Sequence, residues 1–250
     1  EQWIEEYMTV LEGVFERYVG EFGKDEPVGV LVSGGIDSSI IAWIAWWQFK
    51  HVSFFCLDSE KGVDKQYVEL LMKNLGSQVT FVQFRQKDVV EIRAEIGEIL
   101  RMVGVETNIM QISLASGFYL LARRISEAGI RKIFTGQGPD ILFGGYSKYK
   151  TVNTNVLKSE IQKDLPLLEI DGKRDGAMGA LWGVSFVNPY LEKVFVDFAL
   201  SVPVNLLIHR GIGKFISRVA GKKMGLPKEI CERPKKAFQY STGIQKLSLR

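Results

Sequence analysis

The spacing of hydrophobic positions changes period along the chain, and the changes mark an alternation of helices and strands. Trp3, Ile4, Tyr7, Val10, Leu11, Val14 and Tyr18 recur at helical spacing, which predicts an amphipathic helix over 3–19 whose aromatic stripe packs in a core. Val28 to Val32 is a short β-branched run and predicts a strand over 28–33. Ile40 to Trp47 returns to helix, predicted over 37–49, with Asp37, Ser38 and Ser39 in its first turn. The alternation continues with strand 52–57, helix 63–75, strand 79–84, helix 88–101, helix 111–128 and strand 132–135. Strands separated by helices predict a parallel sheet with helices on both faces. Ligands of such sheets bind beyond the carboxyl ends of the strands, where Ser33 and Thr135 both fall. After Tyr146 the pattern turns to helices and loops, with an exposed helix over 153–165, a packed one over 190–200 and another over 213–223. A boundary near residue 150 is expected, between an α/β part (1–150) and a helical C-terminal part (151–250).

Composition narrows the class. With 250 residues, 46% hydrophobic and 24% charged, the chain can bury a sizeable core. The longest strongly apolar stretch, Ile40 to Phe49, is too short to span a bilayer. Cys56 and Cys231 lack CxxC spacing and His51 and His209 lie far apart, which argues against a zinc site or a disulfide framework. A cytoplasmic enzyme without membrane contact is the expectation. The formal charge of +3 is uneven, because residues 210–250 hold eleven Lys or Arg and only Glu229 and Glu232 as acids. A basic segment of this kind suits a polyanion such as ATP. Nucleic acid is the weaker reading, since no RNA-binding motif or basic–aromatic interleaving accompanies the charges.

Two glycine-rich runs carry the candidate chemistry. Leu31 to Ser39, LVSGGIDSS, joins a strand to a helix. Gly34 and Gly35 let backbone approach an anion, while helix N-terminal amides and the Ser33 and Ser38 hydroxyls donate to it. No GxxxxGK[ST] lysine follows, and no GxGxxG fingerprint is present. The second run, Thr135 to Tyr146, reads TGQGPDILFGGY. Gly136 and Gly138 make another phosphate-compatible turn, and Asp140 is placed to reach a metal held over it. Taken alone, this run reads more readily as a plain turn that ends a strand.

SGGIDSS resembles the pyrophosphate loop of ATP pyrophosphatases, and the pair of runs resembles the synthetase domain of asparagine synthetases and the related β-lactam synthetases. That family carries S/T-G-E-G-x-D-E-x-F-G-G-Y at the second position. Further blocks are similar to family stretches: Tyr119 to Ile125, Trp182-Gly-Val with Asn188 to Glu192, Lys214 with Arg218, and Arg233-Pro-Lys235-Lys-Ala-Phe238. The resemblance implies an adenine nucleotide alpha-hydrolase-like α/β fold. It implies an ATP- and Mg²⁺-dependent ligase that adenylates a carboxylate, aspartate first among them, releases pyrophosphate and amidates the acyl group with ammonia. By resemblance, Ser33, Gly34, Gly35, Asp37, Ser38 and Ser39 cradle pyrophosphate and Asp37 and Asp140 carry Mg²⁺. Leu31 and the backbone near Phe55 and Cys56 line the adenine pocket, Thr135 and Gly136 approach the nucleotide, and Lys235 neutralises charge at the α-phosphate. Lys235, Asp37 and Gln137 are the candidate catalytic residues.

The sequence also departs from the family. It opens on a helix where glutamine-hydrolysing members carry a glutaminase domain, so free ammonia or a separate glutaminase subunit is the expected nitrogen source. The family glutamate is Gln137 and the following acid is Ile141, while two family arginines align with Ser113 and Val187. Glutamine cannot take a proton as a carboxylate does, and lost arginines remove bidentate carboxylate recognition. The nucleotide half is retained and the acceptor half altered. A different amide or lactam synthetase, an RNA-modifying relative, or a non-catalytic ATP-binding regulatory subunit are the alternatives, and ammonia-dependent NAD synthetases carry a very similar first loop.

Overall fold

The computed structural model describes residues 1–60 and 62–248. Five parallel strands form one sheet: β1 (Val28–Leu31), β2 (Val52–Asp58), β3 (Val79–Gln83), β4 (Lys132–Phe134) and β5 (Ser185–Val187), in the order β3-β2-β1-β4-β5. Val30 of β1 is in register with Phe54 on one side and Phe134 on the other, so β1 is central. Before the first strand runs α1 (Gln2–Phe22), and between strands run α2 (Ile36–Gln48), α3 (Lys65–Leu75), α4 (Gln86–Met102) and α5 (Ile109–Glu127). The expected parallel sheet with helices on both faces is therefore present.

Strand periodicity divides the core. Val28, Val30, Phe54, Cys56 and Phe134 face a cluster shared with α1, α2 and α3, whereas Phe55, Leu57 and Ile133 face the other side with α4 and α5. Successive side chains of a strand point to opposite faces, so a fully covered sheet needs apolar residues at nearly every position. The aromatic stripe of α1 is core, as its spacing predicts: the Phe15 and Phe134 rings sit 4.9 Å apart.

Beyond β4 come α6 (Pro139–Leu142), α7 (Leu157–Ala180), α8 (Lys193–Ser201), α9 (Val204–Leu207), α10 (Phe215–Lys223) and α11 (Lys228–Glu232). Two features differ from the sequence reading. The helix expected over 153–165 continues as α7 to Ala180 through Pro166, which forfeits one intrahelical hydrogen bond. Burial at both ends holds it together, with Leu157 and Ile161 before the proline and Arg174, Asp175 and Met178 after it. The second difference is β5, a three-residue strand from the C-terminal half that adds an edge to the sheet, pairing Phe134 with Val187. No helix among the described residues is long and apolar enough to cross a membrane.

Candidate active site

A cavity of about 480 Å³ opens at the carboxyl ends of β1, β2 and β4. Its first wall is the turn between β1 and α2. Gly34 adopts φ +63°, and a Cβ there would collide with Tyr67 of α3, so only glycine fits. The turn is tied internally: the Ser33 amide donates to Ser38 Oγ at 3.2 Å, and Ser38 Oγ donates to the Gly35 carbonyl at 3.2 Å. The second wall is the turn after β4. A Cβ on Gly136 would lie 2.7 Å from the Ser38 amide nitrogen, so the two turns touch backbone to backbone.

Four charged side chains close the space beside these turns. Lys214 Nζ sits 2.5 Å from Asp37 Oδ2 and 2.6 Å from Asp140 Oδ1, and Lys235 pairs with the other Asp140 oxygen. Burial alone would raise the Asp140 carboxyl, but Lys214 and Lys235 outweigh it and hold it at about 2. Burial would discharge Lys214, and the two carboxylates reverse that and keep its ammonium charged. Burial dominates at Asp37 and pushes it up against the pull of Lys214. Lys235 is pushed down by burial and by the neighbouring Lys214 charge. Asp37 Oδ1 is buried and has no hydrogen-bond partner among the described residues.

The tail is strapped over the cleft. Arg233 donates to the Ser33 carbonyl at 2.6 Å, pairs with buried Asp64, and lies 4.1 Å from the centre of the Tyr67 ring. The Phe238 ring packs at a tilt 5.6 Å from that of Phe118 of α5 and borders the cavity, as do Leu31, Phe55 and Leu57. Of the residues singled out from sequence, Leu31, Ser33, Gly35, Asp37, Ser38, Phe55, Thr135, Gly136, Gln137, Asp140 and Lys235 all border this cavity. Cys56 does not, because strand alternation turns it into the opposite core, and Leu57 takes the place beside Phe55. Ser39 is fully buried in α2, and Gly34 lies under Tyr67.

At the far end, α7 supplies a polar floor. Buried Arg174 binds Asp175 at 2.7 Å, Asp171 at 2.6 Å and Gln111 Oε1 at 2.8 Å. Asp175 also accepts from Gln137 Nε2, and Gln137 Oε1 is buried with no partner among the described residues. Tyr146 bridges the two ends: burial together with Asp140 and Asp171 pushes its phenol up to about 12. The aligned Ser113 and Val187 carry no charge to the cleft, since Ser113 Oγ donates to the Ile109 carbonyl and Val187 ends β5.

Lys214, Arg174, Asp175 and Tyr146 had no assigned role in the sequence. Lys214 could be found only as part of the Lys214–Arg218 similarity, and Arg174-Asp175 lies in a charged stretch of α7 that reads as a solvated face. The basic C-terminal segment turns inward here: Lys214, Arg218, Arg233 and Lys235 all border the cavity.

The family model for asparagine synthase matches residues 13–171 and 166–250. Asparagine synthetase B, glutamine-hydrolysing, of Escherichia coli K12 is 28% identical over 241 residues, covering 88% of this chain and 42% of that protein. Glutamine-hydrolysing asparagine synthetase 3 of Arabidopsis thaliana is 28% identical over 257 residues, covering 94% and 43%. The chain thus spans less than half the length of these relatives. Among solved structures, the NMN synthetase of Francisella tularensis superposes with a TM-score of 0.48 and 14% identity, covering 98% of this chain and 84% of that one.

Proposed function

Because the chain belongs to the asparagine synthase family, we propose that its cleft activates a carboxylate with ATP, as an adenylate, and passes the acyl group to ammonia. The observation that carries this is the meeting of two glycine turns with Asp37, Asp140, Lys214 and Lys235 around one cavity. An anion-binding turn next to a pair of carboxylates and a pair of lysines suits a nucleotide triphosphate with its cation.

In this reading the adenine lies against Leu31, Phe55 and Phe238, with Gly136 close to the nucleotide. The β- and γ-phosphates occupy the turn formed by Ser33, Gly34, Gly35 and Ser38. Asp37 and Asp140 are the residues that would hold Mg²⁺, and the unpartnered Asp37 Oδ1 fits an oxygen-seeking cation. Mg²⁺ usually takes one or two carboxylates together with substrate phosphates, and when bound it would supply charge neutralisation on them. Lys214 holds the same two carboxylates in place. Residues 1–150 supply the nucleotide half and residues 151–250 the lysines and the α7 wall that complete the site.

The chemistry balances in two steps. A carboxylate oxygen bonds to the α-phosphorus, the bond from that phosphorus to the bridging oxygen breaks, and pyrophosphate is retained by the Ser33–Ser38 turn. Lys235 stands beside Asp140 to offset charge growing at the α-phosphate, a task suited to a compact ammonium. Ammonia then bonds to the acyl carbon, the carbon–oxygen bond to AMP breaks, and one nitrogen proton is released to solvent. Gln137 contributes a hydrogen-bond acceptor there and no base. Free ammonia or a glutaminase subunit supplies the nitrogen, and aspartate is the acceptor the resemblance implies.

The test is isotope exchange between pyrophosphate and ATP across a panel of carboxylic acids, with Mg²⁺. Acid-dependent exchange supports the reading. Tight Mg-ATP binding with exchange under no acid contradicts it and marks a nucleotide-binding subunit.

A further inference from the structure

The acceptor end of the cavity does not look like a dicarboxylate site. Among the described residues six cations border the cavity, and five are already held: Arg174 by three acceptors, Lys214 and Lys235 by Asp37 and Asp140, Arg233 by Asp64 and the Ser33 carbonyl, and Arg218 by three backbone carbonyls. The sixth, Lys236, belongs to the tail strap between Lys235 and Phe238 and not to the α5–α7 wall. The one guanidinium on that wall is Arg174, and Asp171 and Asp175 set two negative charges against its single positive one. A second substrate carboxylate would meet an excess of negative charge there, with no unpaired guanidinium among the described residues of the wall.

What the wall does present is a different pattern. Met110 on α5 and Leu167 on α7 are 41% and 44% exposed, yet both border the cavity rather than a core. Leu114 and Ile170 extend this apolar surface inward. Beside it, Asp171 has one oxygen beyond its bond to Arg174, and Gln137 Oε1 is an acceptor without a donor. Gln137 cannot flip to offer its amide nitrogen instead, because that nitrogen is committed to Asp175. Acceptors beside an apolar shelf match a group with N–H donors attached to an apolar body.

Resting on the adenylation reading above, we propose that the acceptor is an amino acid with a single carboxylate and an apolar side chain. Its ammonium sits on Asp171 and Gln137 Oε1, its side chain on Met110, Leu114 and Leu167, and its carboxylate points to the Lys235 end. Gln137 contacts the substrate here, and Asp175 is the positioning residue that orients it.

The experiment is calorimetry on the wild-type chain saturated with Mg²⁺ and α,β-methylene-ATP, which binds without reacting. Leucine and phenylalanine are titrated against aspartate and glutamate, with 4-methylpentanoate as leucine lacking its amine. The expected result is apolar amino acids bound at least about 10-fold tighter than aspartate, and 4-methylpentanoate weaker than leucine by about the same factor. Leu167→Arg, an exposed position on α7, is expected to raise aspartate affinity about 10-fold by adding the missing guanidinium. Aspartate bound as tightly as leucine, or no amino acid bound at all, overturns the inference. Failure of the adenylation reading shows separately, as absence of binding of the nucleotide analogue itself or as absence of pyrophosphate exchange.

Discussion

Lys214 Nζ lies 2.5 Å from Asp37 Oδ2, so a residue from the start of α10 is fixed onto the turn that follows the central strand. The same ammonium reaches Asp140 at 2.6 Å, and all three groups are largely buried. One internal cation thereby joins both glycine turns to the C-terminal half. Removing it leaves two carboxylates beside each other with one lysine partner between them. Lys214→Met is expected to lower unfolding free energy by about 3–5 kcal/mol, the usual cost of stranding a buried charge. Urea unfolding measures this, and added Mg²⁺ should recover part of the loss if Asp37 and Asp140 bind it.

Gly136 faces the Ser38 amide across the contact between the two turns. Gly136→Ala would place a methyl 2.7 Å from that nitrogen and force backbone to move, since no flexible side chain can yield. Mg-ATP affinity is expected to fall at least about 10-fold while the far-ultraviolet circular dichroism stays unchanged. Unaltered affinity would mean the nucleotide does not use the junction.

Gln137→Glu reads differently in structure than in sequence. A glutamate here would resemble the family residue, which suggests a gain in amide formation. The Gln137 amide donates to buried Asp175, however, and a carboxylate in its place would face another carboxylate. The expected outcome is a stability loss of about 1–3 kcal/mol with no gain in turnover. Combining Gln137→Glu with Asp175→Asn should recover part of that loss, and a double-mutant cycle measures the coupling.

Acid sensitivity has an identifiable contributor away from the cleft. Burial would raise the Asp164 carboxyl, but Lys148 and the Tyr149 hydroxyl both bind it and hold it below the usual carboxylate range. A depressed folded-state value contributes stability above the unfolded value near pH 4, lost as pH falls through the lower folded one. Unfolding curves between pH 5 and 2.5 should therefore fall less steeply for Asp164→Asn than for wild type.

The two glycine turns were legible because their signals are local. A glycine pair at a strand end, followed by Asp37 and Ser38 in a helix first turn, can be read from nine consecutive residues. The same is true of β1 to β4, whose β-branched and aromatic runs stand between helical stretches. β5 is three residues long and follows a turn at Gly183, too short for any period to show. Arg174 and Asp175 were hidden because a charged stretch of α7 reads as solvated unless its partners Gln137 and Gln111 are known. Their burial is decided by contacts 38 and 63 residues apart in sequence, which no window along the chain contains. Cys56 is the converse case, where the strand was evident but which of two adjacent residues faced the cavity depended on register.

The identity of the spent nucleotide tests the central claim most directly. Phosphorus NMR of Mg-ATP incubated with the protein, ammonium and an accepted amino acid should show AMP and pyrophosphate in equal amounts, with Lys235→Ala reducing both by a factor of about 10² or more. Accumulation of ADP and inorganic phosphate would contradict it, because cleavage would then fall between the β- and γ-phosphates.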